Sequence, residues 1–169
     1  MSSSVPASEE GQGRVVRALH SALQAAGSTV SVAESLTGGL LALVLTEAPG
    51  ASGVFVGSVT AYTDGVKHGV LGVERALLER RGAVDAEVAR QMACGVRRLM
   101  DSTYALSTTG VAGPQSQDGQ PVGTVFIALA DADGTRVISR QLDGDRHAVQ
   151  QECVAEALCL LQSRLRPPS

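Results

Sequence analysis

Aromatic side chains are nearly absent: the 169 residues contain two Tyr, two Phe and no Trp. Proteins that bind single-stranded nucleic acid stack bases on such rings, so this composition argues against that class. Val, Leu and Ala must fill the core instead. Basic charge is also short, with 14 Lys and Arg against 17 Asp and Glu and a formal net charge of −3. No basic footprint addresses a phosphate backbone, although one or two placed cations can still hold a single small phosphate. The three cysteines, Cys94, Cys153 and Cys159, form no CxxC pair and no Cys/His zinc spacing. Their odd number accords with a reducing compartment. The opening MSSSVPASEEGQG lacks the basic start and apolar stretch of a signal peptide. No apolar run approaches the roughly 20 residues that span a bilayer. A cytoplasmic protein is therefore expected, with no membrane, nucleic-acid, metal or cofactor partner.

What is present reads as a globular chain, 44% hydrophobic and 18% charged. Residues 1–9 are expected to be a disordered tail and residues 10–166 one domain. Val15, Val16, Leu19, Leu23 and Ala26 recur at helical spacing, and Gly27 closes that helix. Strands are expected over 29–33, 54–62, 104–108, 122–130 and 135–142. Helices are expected over 40–46, 74–81 and from a cap at Asp85 to about Met100, with a last one opened by Gly144-Asp145-Arg146. Asp64-Gly65 reads as a turn and Gln115 to Gln120 as a polar loop. Asp131-Ala132-Asp133-Gly134 joins the last two strands as a hairpin. Strands alternate with helices early and pair in a hairpin late. This predicts an α/β fold, a mixed sheet covered by helices on both faces.

Three glycine-containing segments follow predicted strands: Glu34 to Gly39, Thr109 to Pro114, and Gly144 to Arg146. Ligands of α/β sheets bind in such loops, where glycine lets backbone N–H groups approach an anion. The fingerprints GxxxxGK[ST], GxGxxG and HExxH are all missing, which argues against ATPase, dinucleotide and zinc-protease chemistry. Ser35 falls at a strand-to-helix junction, where a helix dipole and free N–H groups would favour an alkoxide and an oxyanion. The simpler role for such a serine is an N-cap. A serine nucleophile needs a base, and His20, His68 and His147 fit solvated surface positions better than a triad. Lys67 is the better candidate. It is the only lysine in the chain and follows an apolar strand, five positions after Tyr62. An amine desolvated near the interior loses proton affinity and can act as a base, whereas a lysine in a turn is ordinarily solvated. Tyr62 could relay a proton or orient the pair.

Several ordered blocks resemble the CinA C-terminal domain family. They are Ala33-Glu34-Ser35-Leu36-Thr37-Gly38-Gly39, Ala61-Tyr62 with Lys67, Leu71-Gly72-Val73, Gly82-Ala83-Val84, Thr109 to Pro114, Pro121 to Val125, and Gly144-Asp145-Arg146. The similarity runs from about residue 12 to 165. It implies a three-layer α/β/α sandwich and a nicotinamide-nucleotide amidase, which converts nicotinamide mononucleotide to nicotinate mononucleotide and ammonia. It also puts the family's Ser, Tyr and Lys on Ser35, Tyr62 and Lys67. Substrate contacts are expected from Glu34, Leu36, Thr37, Gly38, Gly39, Thr109, Gly110 and Gly113, with Leu36 to Gly38 supplying oxyanion donors. Arg146 is the expected phosphate cation, unless it forms a surface pair with Asp143 or Asp145. The partner is then a small nucleotide, and a homo-oligomer is expected. Two features depart from the family pattern: Asp85 stands where Ser is frequent, and Gln115 to Gln120 is shorter and poorer in glycine. Two other readings stay open. One is a nucleotide-sensing or protein-interaction module, in line with the family's competence and DNA-damage associations. The other is an amidase for a different carboxamide.

Overall fold

The computed structural model describes residues 9–165. The expected tail over residues 1–9 lies outside that range except for Glu9, which opens the first helix. In chain order the elements are α1 (Glu9–Ala25), β1 (Val30–Glu34), α2 (Leu40–Glu47), a 3-10 turn (Ala51–Gly53), β2 (Phe55–Thr60), α3 (Asp64–Gly69), α4 (Arg75–Arg81), α5 (Ala86–Met100), β3 (Tyr104–Gly110), β4 (Thr124–Ala130), β5 (Thr135–Gln141) and α6 (Arg146–Leu165). The five strands form one sheet in the order β2-β1-β3-β4-β5. β1 pairs in parallel with β2 and β3, and the two later pairings are antiparallel. The mixed α/β sheet expected from the sequence is therefore observed.

Strand alternation sorts the core onto the two faces of the sheet. Val30, Val32, Leu106, Val125 and Ile127 pack with α1, α2 and α6, where Leu19, Leu23, Leu41, Leu45, Val154 and Leu158 are buried. Ala33 and Ala105 turn the other way, onto Val88, Met92 and Val96 of α5 and the Leu77 and Leu78 pair of α4. Farther along, Ala128 and Ala130 meet Ala89 and Ala93 of α5. Alanine facing alanine lets α5 lie close to the sheet without large side chains between them. Gly95 carries the same close approach to the other side of α5. A Cβ there would sit about 2.0 Å from the Leu71 carbonyl oxygen.

Two expectations fail. Asp64-Gly65 does not simply turn the chain. It begins α3, whose first turn is capped by the Thr63 hydroxyl accepting from the Val66 N–H at 3.4 Å. His20 is not solvated: it is 5% exposed, because it lies one turn from Val16 and beside Leu19 and Leu23 on the buried face of α1, which packs against α2. Among the described residues no helix is long and apolar enough to cross a membrane.

Candidate active site

The register brings the carboxyl ends of the parallel strands together. Glu34 at the end of β1 lies beside Thr60 of β2 and Thr108 of β3. The segments that follow these strands, together with the start of α6, enclose a cavity of about 330 Å³. Its lining includes Ser35, Leu36, Tyr62, Asp64, Lys67, Ala83, Val84, the whole stretch from Thr109 to Gln117, and Arg146. This is the location that open α/β sheets favour for ligands.

Ser35 leaves β1 in a tight turn. Its N–H donates to the Thr108 carbonyl at 3.0 Å, and its carbonyl accepts from Gly38 N–H at 3.1 Å. Gly38 and Gly39 complete the turn at φ of +59° and +105°, a region that glycine enters without a Cβ penalty. α2 begins at Leu40, as expected, so Ser35 at the strand-to-helix junction stands ahead of the helix and is not its N-cap. The amino terminus of α2 is also occupied. The buried Glu34 carboxylate accepts from Gly39 and Leu41 through Oε2, at 3.1 and 2.9 Å, and from Ala42 through Oε1 at 2.9 Å. The donors that a helix terminus would have offered to a substrate are spent on this internal cap. Glu34, Thr37, Gly38 and Gly39 do not line the cavity. Thr37 instead hydrogen-bonds the Thr108 hydroxyl at 2.8 Å. Among the described residues, the N–H groups of Leu36 and Thr37 have no protein acceptor.

Lys67 points inward from α3 with its side chain 1% exposed, the reverse of a solvated turn lysine. Burial pulls its pKa below the usual lysine value, while the negative charges of Asp64 and Asp118 oppose that shift. Asp64 is 4.0 Å away and itself well exposed, so the ion pair is weak and solvent-screened. Tyr62 stands at the rim, 60% exposed. Thr109 is buried, and its hydroxyl donates to the Ala83 carbonyl at 2.7 Å. Gly110 and Gly113 lie in the cavity wall. Arg146 opens α6 and lines the cavity, its Nη2 donating to the Gly113 carbonyl. It makes no ion pair with Asp143 or Asp145 among the described residues. Asp145 instead accepts from Ala148 N–H at 2.9 Å, at the start of the helix.

The sequence reading missed Asp64, the Ala83-Val84 wall and the structure of the Gln115 to Gln120 stretch. That stretch is a small hairpin: Gln117 and Gln120 exchange backbone bonds of 3.1 and 2.8 Å around Asp118-Gly119. Asp-Gly is the sequence signal for such a two-residue turn.

Residues 13–165 match the CinA C-terminal domain. CinA-like proteins of Frankia casuarinae and Solibacter usitatus are similar to this chain. The first is 49% identical over 138 residues, 82% of this chain and 32% of that protein. The second is 46% identical over 154 residues, 90% of this chain and 35% of that protein. The chain thus spans about a third of the length of these curated relatives. Among solved structures, a competence-damaged protein (CinA) superfamily member from Escherichia coli superposes with a TM-score of 0.88 at 31% identity, covering 90% of each chain. A competence/damage-inducible protein from Agrobacterium tumefaciens gives a TM-score of 0.84 at 33% identity, covering 90% of this chain and 94% of that one.

Proposed function

The chain belongs to the CinA C-terminal domain family, and from that premise we propose that it hydrolyses the carboxamide of nicotinamide mononucleotide to give nicotinate mononucleotide and ammonia. The observation that carries this reading is a lysine with a 1% exposed side chain in the wall of a cavity it shares with a serine. Lysine is costly to bury as a cation, and burial here favours the neutral amine that a general base requires.

In the proposed mechanism, neutral Lys67 accepts the Ser35 hydroxyl proton as Oγ bonds to the carboxamide carbon. The N–H group of Leu36, which lines the cavity and has no protein acceptor among the described residues, is the available donor for the oxyanion. The C–N bond then breaks, and Lys67 returns its proton to the departing amine, which leaves as ammonia. Water attacks the resulting ester and gives its proton to Lys67. The Ser35–carbon bond breaks as Oγ regains a proton, releasing the acid. Tyr62 at the rim is available to orient the ring or relay a proton. The phosphate goes to the cavity-facing Arg146 and the glycine loop beside it.

The test is ammonia and nicotinate mononucleotide release by the purified protein. Wild type should turn over, and a folded Ser35→Ala variant should lose at least about a thousandfold in rate. Binding of the mononucleotide without ammonia release would favour the sensing module. Release from another carboxamide only would change the substrate.

A further inference from the structure

The hairpin between β3 and β4 is tied to the opposite wall of the cavity by one side chain. Asp118 sits at its tip with φ of +52°, followed by Gly119 at +72°, the double left-handed geometry of a primed turn. Its carboxylate crosses to the α4–α5 connection. There Oδ2 accepts from Ala83 N–H at 2.7 Å and from Val84 N–H at 3.3 Å. Gly82 makes room for it, since a Cβ at Gly82 would overlap the Asp118 side chain. Gln115, Ser116 and Gln117 on one side of this bond and Ala83 and Val84 on the other are all cavity lining. The same carboxylate acts electrostatically on the buried Lys67.

We propose that Asp118 is a positioning residue for this site: its carboxylate latches the Gln115 to Gln120 hairpin onto the Gly82 to Val84 turn and so holds a fixed negative charge beside the wall of the cavity that contains Lys67. The catalytic half of this proposal rests on the amidase reading above; the latch and the charge do not. The charged and titratable groups around Lys67 are Asp64 and Tyr62 from the β2–α3 segment, Asp118 from the hairpin and Arg146 from α6. Asp64 is open to solvent. Asp118 is held by two backbone donors, so its charge keeps a fixed position that a mobile surface carboxylate does not.

The two roles separate by substitution. Asp118→Asn keeps an oxygen acceptor for the Ala83 and Val84 amides and removes the charge. Asp118→Ala removes both. Gly82→Ala keeps the charge and drives it out of its seat. Because Lys67 is the only lysine, protein labelled with ¹³C-lysine gives a single side-chain signal, and its titration reads Lys67 whether or not the protein turns over. The expected result is a lower midpoint in Asp118→Asn and Asp118→Ala, because a negative charge that favours the protonated amine is removed. Amide exchange at Ala83 and Val84 should stay slow in Asp118→Asn and speed at least about tenfold in Asp118→Ala and Gly82→Ala. With nicotinamide mononucleotide as substrate, the acid limb of kcat/KM should move with the lysine midpoint. KM should rise only in the two variants that open the latch. An unmoved lysine midpoint in folded Asp118→Asn overturns the charge role. Unchanged exchange at both amides in Asp118→Ala and Gly82→Ala overturns the latch. If the midpoint and exchange change as described but wild type releases no ammonia, the amidase reading fails and Asp118 still holds the site together.

Discussion

At the scale of single residues, the proposed site holds two basic side chains in unequal surroundings. Lys67 is buried, which favours its neutral form, whereas the exposed Arg146 lines the same cavity. Because burial lowers the Lys67 pKa, the neutral base is present at lower pH than an ordinary lysine would permit. The rate should therefore rise with pH through one ionisation lying below the unperturbed value of about 10.4. Lys67→Arg retains a cation that cannot deprotonate in this range, so it should be nearly as damaging as Lys67→Ala. A Lys67→Arg enzyme with wild-type kcat would remove Lys67 as the base. Arg146 makes a different prediction. A charge-assisted contact to phosphate contributes about 1.5–3 kcal/mol, or roughly 10- to 150-fold in affinity. Arg146→Ala should raise KM for the mononucleotide by that order and leave the unphosphorylated riboside almost unaffected. Because the guanidinium also donates to the Gly113 carbonyl, equal losses on both substrates would mean that it acts by holding the loop.

At the scale of elements, the sequence was informative wherever a period could complete itself. α5 was readable from its Asp85 cap, which does accept from Glu87 N–H at 2.8 Å, and β4 and β5 from the Asp131 to Gly134 hairpin. α3 was not, because six residues beginning Asp-Gly carry a turn signal and too little periodicity to oppose it. What determined the state of Lys67, its burial, came from α3 and could not be read from the lysine itself. Glu34 is the other instance. In the sequence it stands next to the serine and resembles a ligand; in the fold it is the internal cap of α2, reaching five to eight residues ahead. Its two oxygens meet only donors, so Glu34→Gln would set an NH₂ against a backbone N–H. That substitution should cost about 1–3 kcal/mol. The urea midpoint should fall with an unchanged slope, and an unaltered midpoint would show that α2 holds its start without the carboxylate.

At the scale of the whole molecule, the two sides of the sheet are built differently. The α5 side closes alanine against alanine, while the α1, α2 and α6 side is a broad layer of Val and Leu. His20 is set into that layer, and among the described residues neither ring nitrogen has a well-formed hydrogen bond. Desolvation lowers its pKa from the usual 6.5, and the nearby carbonyls of Leu45 and Pro49 only partly oppose this. The linkage has a definite sign. In the window between the folded and unfolded pKa values the unfolded chain binds more protons, so folding stability increases with pH there. The stability present above about pH 6.5 is lost progressively as pH falls through the lower folded value, and levels off beneath it. His68 lies elsewhere, on α3, where its Nδ1 donates to the Val73 carbonyl at 2.8 Å, so the buried His20 ring can be tested by itself. His20→Leu removes the titration and the two unsatisfied nitrogens together. Urea midpoints measured from pH 7.5 to 5 should decline less steeply in His20→Leu than in wild type, the two curves diverging below about pH 6.5. Parallel curves across that range would mean that α1 and α2 separate far enough in the native state for His20 to take up its proton at no cost to the fold.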